Sequence, residues 1–322
     1  MAAWLLPEEQ VMAGQLPAHG PLGRKVVRSL QKQRRARVVD LRAFAAAKQT
    51  SQRLVDSLGG DERFRGLEPA HAVYVYMQNH VSLLLEVLSQ LPALDPLVQV
   101  ISRAEAEYMP EGPPMSPLTQ SYFGMWSYFD AAVGDPPETL GTCLLDAGAL
   151  LEADPEFRRL LQQLQDSRMG IFVHVEARGW AQVLRELVTG EQRPYLVPAG
   201  YIGRPGEVWL ARALPPPAPE FAEGVVFTTP YVMRGYGERE WRAFLKRTLA
   251  RIQAPDEPSA YAALMKWGLS PFYWHEFIFQ AYAGHALEVV YLTGLPDLRV
   301  SRPHGQAPPA EPRAAARPIK LR

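Results

Sequence analysis

One cysteine, Cys143, stands in a chain of 322 residues, so no intrachain disulfide and no multi-cysteine zinc or iron–sulfur cage can form. Asparagine is as scarce, with Asn79 alone, and only 6 lysines stand against 28 arginines. Codon pressure in a GC-rich bacterial genome produces this bias, which weakens any arginine cluster as a sign of nucleic-acid binding. Net charge is missing too: 34 basic side chains balance 34 acidic ones. No apolar run nears the roughly 20 residues that span a bilayer. The opening MAAWLLPEEQ lacks the basic n-region and long apolar core of a secretory signal. A cytoplasmic protein that does not engage a membrane is expected.

Chemical motifs are equally sparse. The nucleophile elbow G-x-S-x-G, the phosphate loop G-x-x-x-x-G-K-[ST] and the dinucleotide fingerprint G-x-G-x-x-G do not occur. The turn Gly203-Arg204-Pro205-Gly206 precedes a strand, so it lacks the helix terminus that holds phosphate. His275 and His285 lie ten residues apart, not the four that would place two imidazoles on adjacent helical turns around zinc. His71 and His80, nine apart, face opposite sides of one helix, about 180° from each other. Cys143 has only apolar, small and acidic neighbours, which do not stabilise a thiolate. No metal and no cofactor is implied.

What the chain does have is 47% apolar residues, ample for a buried core, and a charge that is unevenly spread. Residues 1–42 carry 8 basic and 3 acidic groups, residues 43–298 carry 20 and 30, and residues 299–322 carry 6 and 1. An acidic body with basic ends does not suit a broad phosphate-binding face.

Residues 1–23 show no period and are expected to be irregular. From 24 to 167 the pattern is helical. Arg24 to Leu58 repeats near 3.6 residues, and Pro69 opens a helix with Val73, Met77, His80, Val81, Leu84, Leu85 and Leu88 on one face. Asp95 to Tyr108 follows, and Ser116-Pro117 reads as an N-cap with proline behind it. Tyr122, Met125, Trp126 and Phe129 form a helical aromatic stripe, and Leu140 to Leu151 and Pro155 to Gln165 are further helices, the second capped by Asp154.

Between 168 and 233 the pattern changes to short β-branched or aromatic runs: MGIFVHVEA, AQVLRELV, RPYLVPA, GEVWLARAL and GVVFTTPYVM. Five such strands suit a small antiparallel sheet or a partly open barrel of the SH3-like or OB-like kind. In the fourth, Val208, Leu210, Arg212 and Leu214 share one face, and Trp209, Ala211 and Ala213 the other. Helices return at Glu238 to Ile252, Pro258 to Trp267 and Ser270 to Ala283, followed by a strand from Leu287 to Leu292. Segment 234–298 is expected to pack with the body, and 299–322, rich in proline, to be a disordered tail. The fold class expected is α+β, a helical body with an inserted small β module.

Two sets of residues are candidates for binding. Tyr195, Tyr201, Arg204, Trp209 and Arg212 of the β module would supply stacking and cation–π contacts if exposed, although a strand tryptophan commonly belongs to the core. The segment RKVVRSLQKQRRARVVDLR carries eight cations, and Arg34, Arg35 and Arg37 are its nucleic-acid candidates, against which stands the simpler assignment of a solvated helical face.

The stretch Leu184 to Pro217 resembles a β module of uncharacterised bacterial proteins, some of which carry a SEC-C metal-binding motif. The matching positions are Leu187-Val188-Thr189-Gly190, Gly206-Glu207 and Ala211-Arg212. The cysteines of that metal motif are missing here, so the resemblance implies no metal role.

Together these features favour a non-enzymatic binding or adaptor protein that holds an unknown protein or small ligand on the β module or in its groove with the helices. Two alternatives remain open. One is an enzyme assembled from distant residues, which predicts a pocket shared by several of His71, His80, His174, Glu276 and His285. The other is a nucleic-acid binder acting through residues 24–42.

Overall fold

The computed structural model describes residues 20–35, 67–109, 116–148, 150 and 153–297. Among them nine α-helices and eight strands give an α+β fold in which helices flank a small closed barrel. No helix of the described residues is long and apolar enough to cross a membrane.

Helix α1 (Pro21–Arg35) begins inside the segment expected to be irregular. Proline at its first position has no N–H to leave unpaired. The next two N–H groups, of Leu22 and Gly23, donate to the buried Glu138 carboxylate at 2.8 and 2.7 Å. Leu22, Val26 and Leu30 then turn one face into the protein. The rest of the helical reading to Leu58 lies almost wholly outside the described residues, as does the expected tail from Arg299 onward.

Helix α2 (Pro69–Ser89) buries Tyr74, Met77, Val81, Leu85 and Leu88, the stripe its spacing dictates. After a 3-10 turn comes α3 (Asp95–Tyr108). The cap of α4 (Gln120–Phe129) is not Ser116 but Thr119, whose hydroxyl accepts from Tyr122 N–H. Ser116 Oγ instead donates to the Tyr108 carbonyl at 2.6 Å, tying the end of α3 to the start of α4. Helices α5 (Leu140–Gly148) and α6 (Pro155–Asp166) complete this part, and Asp154 caps α6 through Glu156 N–H at 2.8 Å.

The barrel comprises β1 (Met169–Arg178), β2 (Ala181–Glu186), β3 (Gln192–Leu196), β4 (Val208–Leu214) and β5 (Gly224–Val226). They pair in the order β1-β2-β3-β5-β4 and close through β4 on β1. The expected small antiparallel sheet or partly open barrel is thus a small barrel, closed through β4 on β1 and mixed because β3 runs parallel to β5. The segment GVVFTTPYVM also forms two strands, β5 and β6 (Tyr231–Arg234), not one. Its break is local chemistry. Thr228 Oγ1 accepts the Arg212 N–H of β4 at 3.0 Å, and Pro230 has no N–H to offer a neighbour. The chain thus leaves one half of β4 and rejoins it at the other, where β6 pairs with Trp209 and Leu210.

Helices α7 (Glu238–Leu249), α8 (Glu257–Trp267) and α9 (Tyr273–Ala281) follow. The last expected strand is a hairpin, β7 (Tyr282–Ala286) and β8 (Val289–Thr293), which extends the sheet beyond β6. The end of the expected third helix is thus strand from Tyr282 onward, where Gly284, at φ 148, adopts a conformation no helix contains.

Both faces of β4 are buried, so strand alternation alone could not tell inside from outside. Trp209 and Ala211 point into the barrel with Phe172, Leu184, Tyr195 and Val226. Val208 and Leu210 point outward into a larger core with Trp241, Phe244, Tyr261 and Trp274. Helices from before and after the barrel in sequence contribute to that same core.

Candidate functional site at the barrel mouth

The two ends of the barrel differ. One end is plugged. Trp209 is wholly buried, its indole stacked on His174 with ring centroids 5.5 Å apart, and Tyr201 packs on it at 5.4 Å. His174 Nε2 shares a hydrogen bond with Gln182 Oε1 at 2.8 Å, and Tyr201 donates to Glu207 at 3.0 Å. Gly203 lies against this stack, and a Cβ there would come within 3.2 Å of His174 Cγ and nearer still to Trp209. Trp209 is thus the core of the barrel rather than a stacking platform, because the loop carrying Tyr201 and Gly203 seals its face. Arg204 of that loop is exposed, and its backbone N–H donates to Glu207 at 3.0 Å.

The other end is open. Phe172, Glu186, Arg193, Tyr195 and Ala213 lead to a cleft of about 470 Å³ walled on one side by Arg159, Gln162, Gln163 and Asp166 of α6. The volume lies within the roughly 300–1,000 Å³ of small-molecule sites, which recur in barrel mouths. Period-two alternation places these residues: Glu186 follows the interior Leu184 by two, and Arg193 precedes the interior Tyr195 by two.

Three guanidinium groups and three carboxylates line the cleft, and the cations are already partnered. Arg168 donates to both oxygens of Glu186, at 2.8 and 3.2 Å, and lies 4.6 Å over the Tyr261 ring. Arg193 Nε donates to Glu191 at 2.6 Å. Arg159 is held by Glu156 at 2.9 Å and by the Pro217 carbonyl at 2.5 Å. Tyr195 is different. Its residue is only 8% exposed, yet its hydroxyl makes no hydrogen bond among the described residues. Burial first, and the negative field of Glu191 second, push the phenol up to about 12. It therefore stays a neutral donor near pH 7, set among Glu186, Arg168, Glu191 and Arg193.

Glycine makes room for this floor. A Cβ on Gly224 would stand nearest the Leu214 carbonyl oxygen of β4 and 2.6 Å from two carbons of the Tyr195 ring, and one on Gly170 would stand 2.6 Å from Phe172. Gly224→Ala is therefore expected to displace Tyr195 and to cost about 1–3 kcal/mol of overpacking, seen as a lowered urea midpoint with an unchanged slope. A midpoint equal to that of the parent would show that the ring moves freely and that the mouth is soft.

Arg212 does not belong to the mouth. It points outward, where it pairs with Asp130 of the α4 terminus and donates to Ser167 Oγ at 2.8 Å. Lys266 of α8 meets the same carboxylate at 3.2 Å and donates to the Gln165 and Ser167 carbonyls that end α6. All three charged groups are largely buried, with Arg212 1% exposed, so Arg212 locks helices to barrel and offers nothing to a ligand in solution. Of the binding candidates in the β module, then, Tyr195 alone lines the mouth. Tyr201 and Trp209 belong to the plug, and Arg204 lies outside it. Arg34 and Arg35 fall in the last turn of α1, and Arg37 lies outside the described residues.

The histidines are dispersed. His80 Nδ1 bonds the Tyr76 carbonyl on its own helix at 2.8 Å, His174 is in the plug, and His285 Nδ1 meets Tyr282 Oη at 2.5 Å in the terminal hairpin. His275 sits among Tyr108, Tyr122, Phe123, Trp126 and Phe272, the nearest ring centroid 4.4 Å away. His71, half-buried on α2, is elsewhere again, and no histidine among the described residues lines the mouth. No group of three histidine, cysteine or acidic side chains among the described residues could hold a metal ion. Cys143 is buried, and burial pushes its thiol up to about 12. A second cleft of about 710 Å³ runs between α7, α8 and the residues after β2, with Leu187, Leu245, Leu249 and Ala260 in its floor and Lys246 exposed beside them.

Sequence reasoning passed over Phe172, Glu186, Arg193, Gln162 and Gln163. A signal existed for two of them. Glu186 and Arg193 carry charge onto faces that are apolar at Leu184 and aromatic at Tyr195, which marks the point where a barrel interior meets water.

Compared with protein-family models, curated proteins and solved structures, the chain matches none.

Proposed function

We propose that the chain is a binding protein whose barrel mouth, together with α6, receives a small polar ligand. One observation carries this reading: the Tyr195 hydroxyl, attached to a ring that is buried in the barrel, has no partner and opens into the cleft. The hydroxyl meets water at the cleft, and a ligand hydrogen bond made there in place of water is worth about 0.5–1.5 kcal/mol. The surrounding ion pairs and glycines hold the phenol in one place, the preorganisation that a binding site needs. Strands and a helix supply most of the cleft's lining, which also suits recognition.

The test removes one oxygen. A thermal-shift screen of the full chain against a library of small polar metabolites should give ligands that raise the melting temperature, and Tyr195→Phe should reduce or abolish the shift while leaving the unliganded chain folded. Ligands whose effect survives in Tyr195→Phe bind elsewhere, and a library without any Tyr195-dependent ligand would count against the mouth as a site.

A further inference from the structure

We propose that the ligand of the barrel mouth is an uncharged polyhydroxylated molecule, a sugar unit or short oligosaccharide; this rests on the mouth being a binding site. Three features of the cleft select that class. Its charge is balanced, with Arg159, Arg168 and Arg193 against Asp166, Glu186 and Glu191. At the largely buried Arg168–Glu186 pair an anion such as a phosphate group would have to take the guanidinium and leave the carboxylate uncompensated, whereas the Arg193–Glu191 and Arg159–Glu156 pairs are exposed and cost little to part. A cation meets the same obstacle at Glu186, and Asp166 has the Gln162 carboxamide as its partner.

An extended peptide is disfavoured by the strands themselves. Peptide recognition by strand addition needs a free sheet edge. The strands at the mouth are largely paired on both sides: β1 pairs with β2 and β4, β2 with β1 and β3, and β3 with β2 along its length and with β5 at Tyr195 and Leu196. Closing the barrel removes most of the edge, so recognition at this site falls to side chains.

The side chains that remain suit hydroxyl groups. A sugar hydroxyl donates and accepts at once, so it can donate to a carboxylate and accept from the adjoining guanidinium without separating the pair. Neighbouring hydroxyls match the two oxygens of one carboxylate as the fork of an arginine does. Gln162, half-buried on the α6 wall, donates to Asp166 at 2.8 Å and keeps its carboxamide oxygen as an acceptor, and Tyr195 supplies a neutral donor. The Phe172 and Tyr195 rings, 6.2 Å apart, give the apolar floor against which the C–H face of a sugar packs.

The experiment titrates the full chain with four probes, using saturation-transfer NMR and calorimetry: a set of neutral disaccharides (maltose, cellobiose, trehalose), inorganic phosphate, adenosine monophosphate and trialanine. At least one disaccharide should bind, with its affinity lowered about tenfold by Tyr195→Phe, the size of one lost hydrogen bond. Gln162→Ala, on the α6 wall, should weaken the same sugar and serves as a second variant that does not disturb the barrel core. Phosphate, the nucleotide or the peptide binding in a Tyr195-dependent manner would overturn the sugar class while leaving the mouth as a site. Sugar binding that ignores both substitutions would place it elsewhere and overturn the proposal, as would silence from all four probes. In that last case the metabolite screen decides whether the mouth binds anything at all.

Discussion

Asp130→Ala should destabilise the protein by about 3–5 kcal/mol, the range for breaking a buried ion pair from one side. Asp130 is the one carboxylate that meets both Arg212 and Lys266, and the first of these is almost wholly shielded from water. Removing it leaves two like charges close together in a medium that screens poorly. Burial already pulls the Lys266 ammonium below the usual lysine range, with Asp130 acting against that trend and Arg212 adding to it. Without Asp130 both unfavourable causes remain, and of the favourable ones only the smaller influence of Asp166 is left. The carbonyls of Gln165 and Ser167 at the α6 terminus would still accept hydrogen bonds, and their partial negative charge softens the loss without replacing a full counter-charge. Equilibrium urea unfolding would measure the change. Two companion variants give it meaning. Lys266→Met, which removes one cation and keeps the stem's bulk, should cost less than Asp130→Ala, and combining the two should recover part of the loss. A cost below about 1 kcal/mol for Asp130→Ala would mean that water reaches the cluster and that it does not latch the barrel to the helices.

The second large effect is on pH dependence. Burial alone pulls His275 down to about 3, because its ring is enclosed by aromatic side chains and its Nε2 has no hydrogen-bond partner. The folded protein therefore resists taking up a proton that the unfolded chain accepts near pH 6.5. Above pH 6.5 neither state is protonated at this site, and His275 contributes no slope. As pH falls from 6.5 toward 3, the unfolded state binds one more proton than the folded state, and stability drops by about 1.4 kcal/mol per pH unit. At pH 4.5 the loss from this residue is about 2.7 kcal/mol, rising to about 5 kcal/mol near pH 3. Surface carboxylates add their own acid dependence, so the measurement is a difference. Urea unfolding at pH 7.5 and pH 4.5, in the parent and in His275→Phe, should show the variant losing about 2–3 kcal/mol less between the two pH values. Equal losses would show that the imidazolium finds water or a carboxylate, and that the aromatic enclosure opens at modest cost.

Both effects arise where the helical body meets other elements, and neither belongs to the mouth. The stability of this chain and its proposed recognition chemistry can therefore be altered independently, which is what makes Tyr195→Phe an informative substitution. It deletes an atom that packs against nothing the fold requires, whereas Gly224→Ala changes the support beneath the same ring.

Much of the architecture was legible from local pattern. The α2 stripe, buried at Met77, His80, Val81, Leu85 and Leu88 although Tyr74 takes the place expected of Val73, the Asp154 cap on α6, and the change at Arg168 from helical to alternating periodicity are all short-range signals, and each appears as an element or a boundary near the expected place. Local signals misled where a distant partner decided the outcome. Ser116-Pro117 has the chemistry of a cap, but the Tyr108 carbonyl takes its hydroxyl. GVVFTTPYVM has the composition of one strand, but β4 presents two separate pairing segments to it, and Thr228 and Pro230 fall between them. Tyr282 and Ala283 continue an apparently helical run, but Gly284 and the approach of β8 make them the start of a strand.

The candidate site was harder to see than the fold. Tyr195 was legible as an aromatic residue in a strand, as were Tyr201 and Trp209, and nothing in their local sequence distinguishes a residue at an open end from one under a plug. That difference depends on the loop holding Gly203, which returns over Trp209 and His174, and on α6, which stands beside the other end without covering it.

By itself the sequence determined most of the segments that are helices and most that are short strands, that the helices precede and follow the β module, and that neither cysteine-based metal binding nor a nucleotide loop is encoded. Those properties follow from backbone periodicity, turn chemistry and residue inventory, all of which act over a few residues. Only the tertiary structure decided that β3 joins β5 in parallel to close a barrel, that Trp209 points in and Arg212 out, and that one end stays open beneath Tyr195. Each of these is a pairing between residues far apart in the chain, chosen by which apolar faces can be covered together and which charges can meet as they are buried.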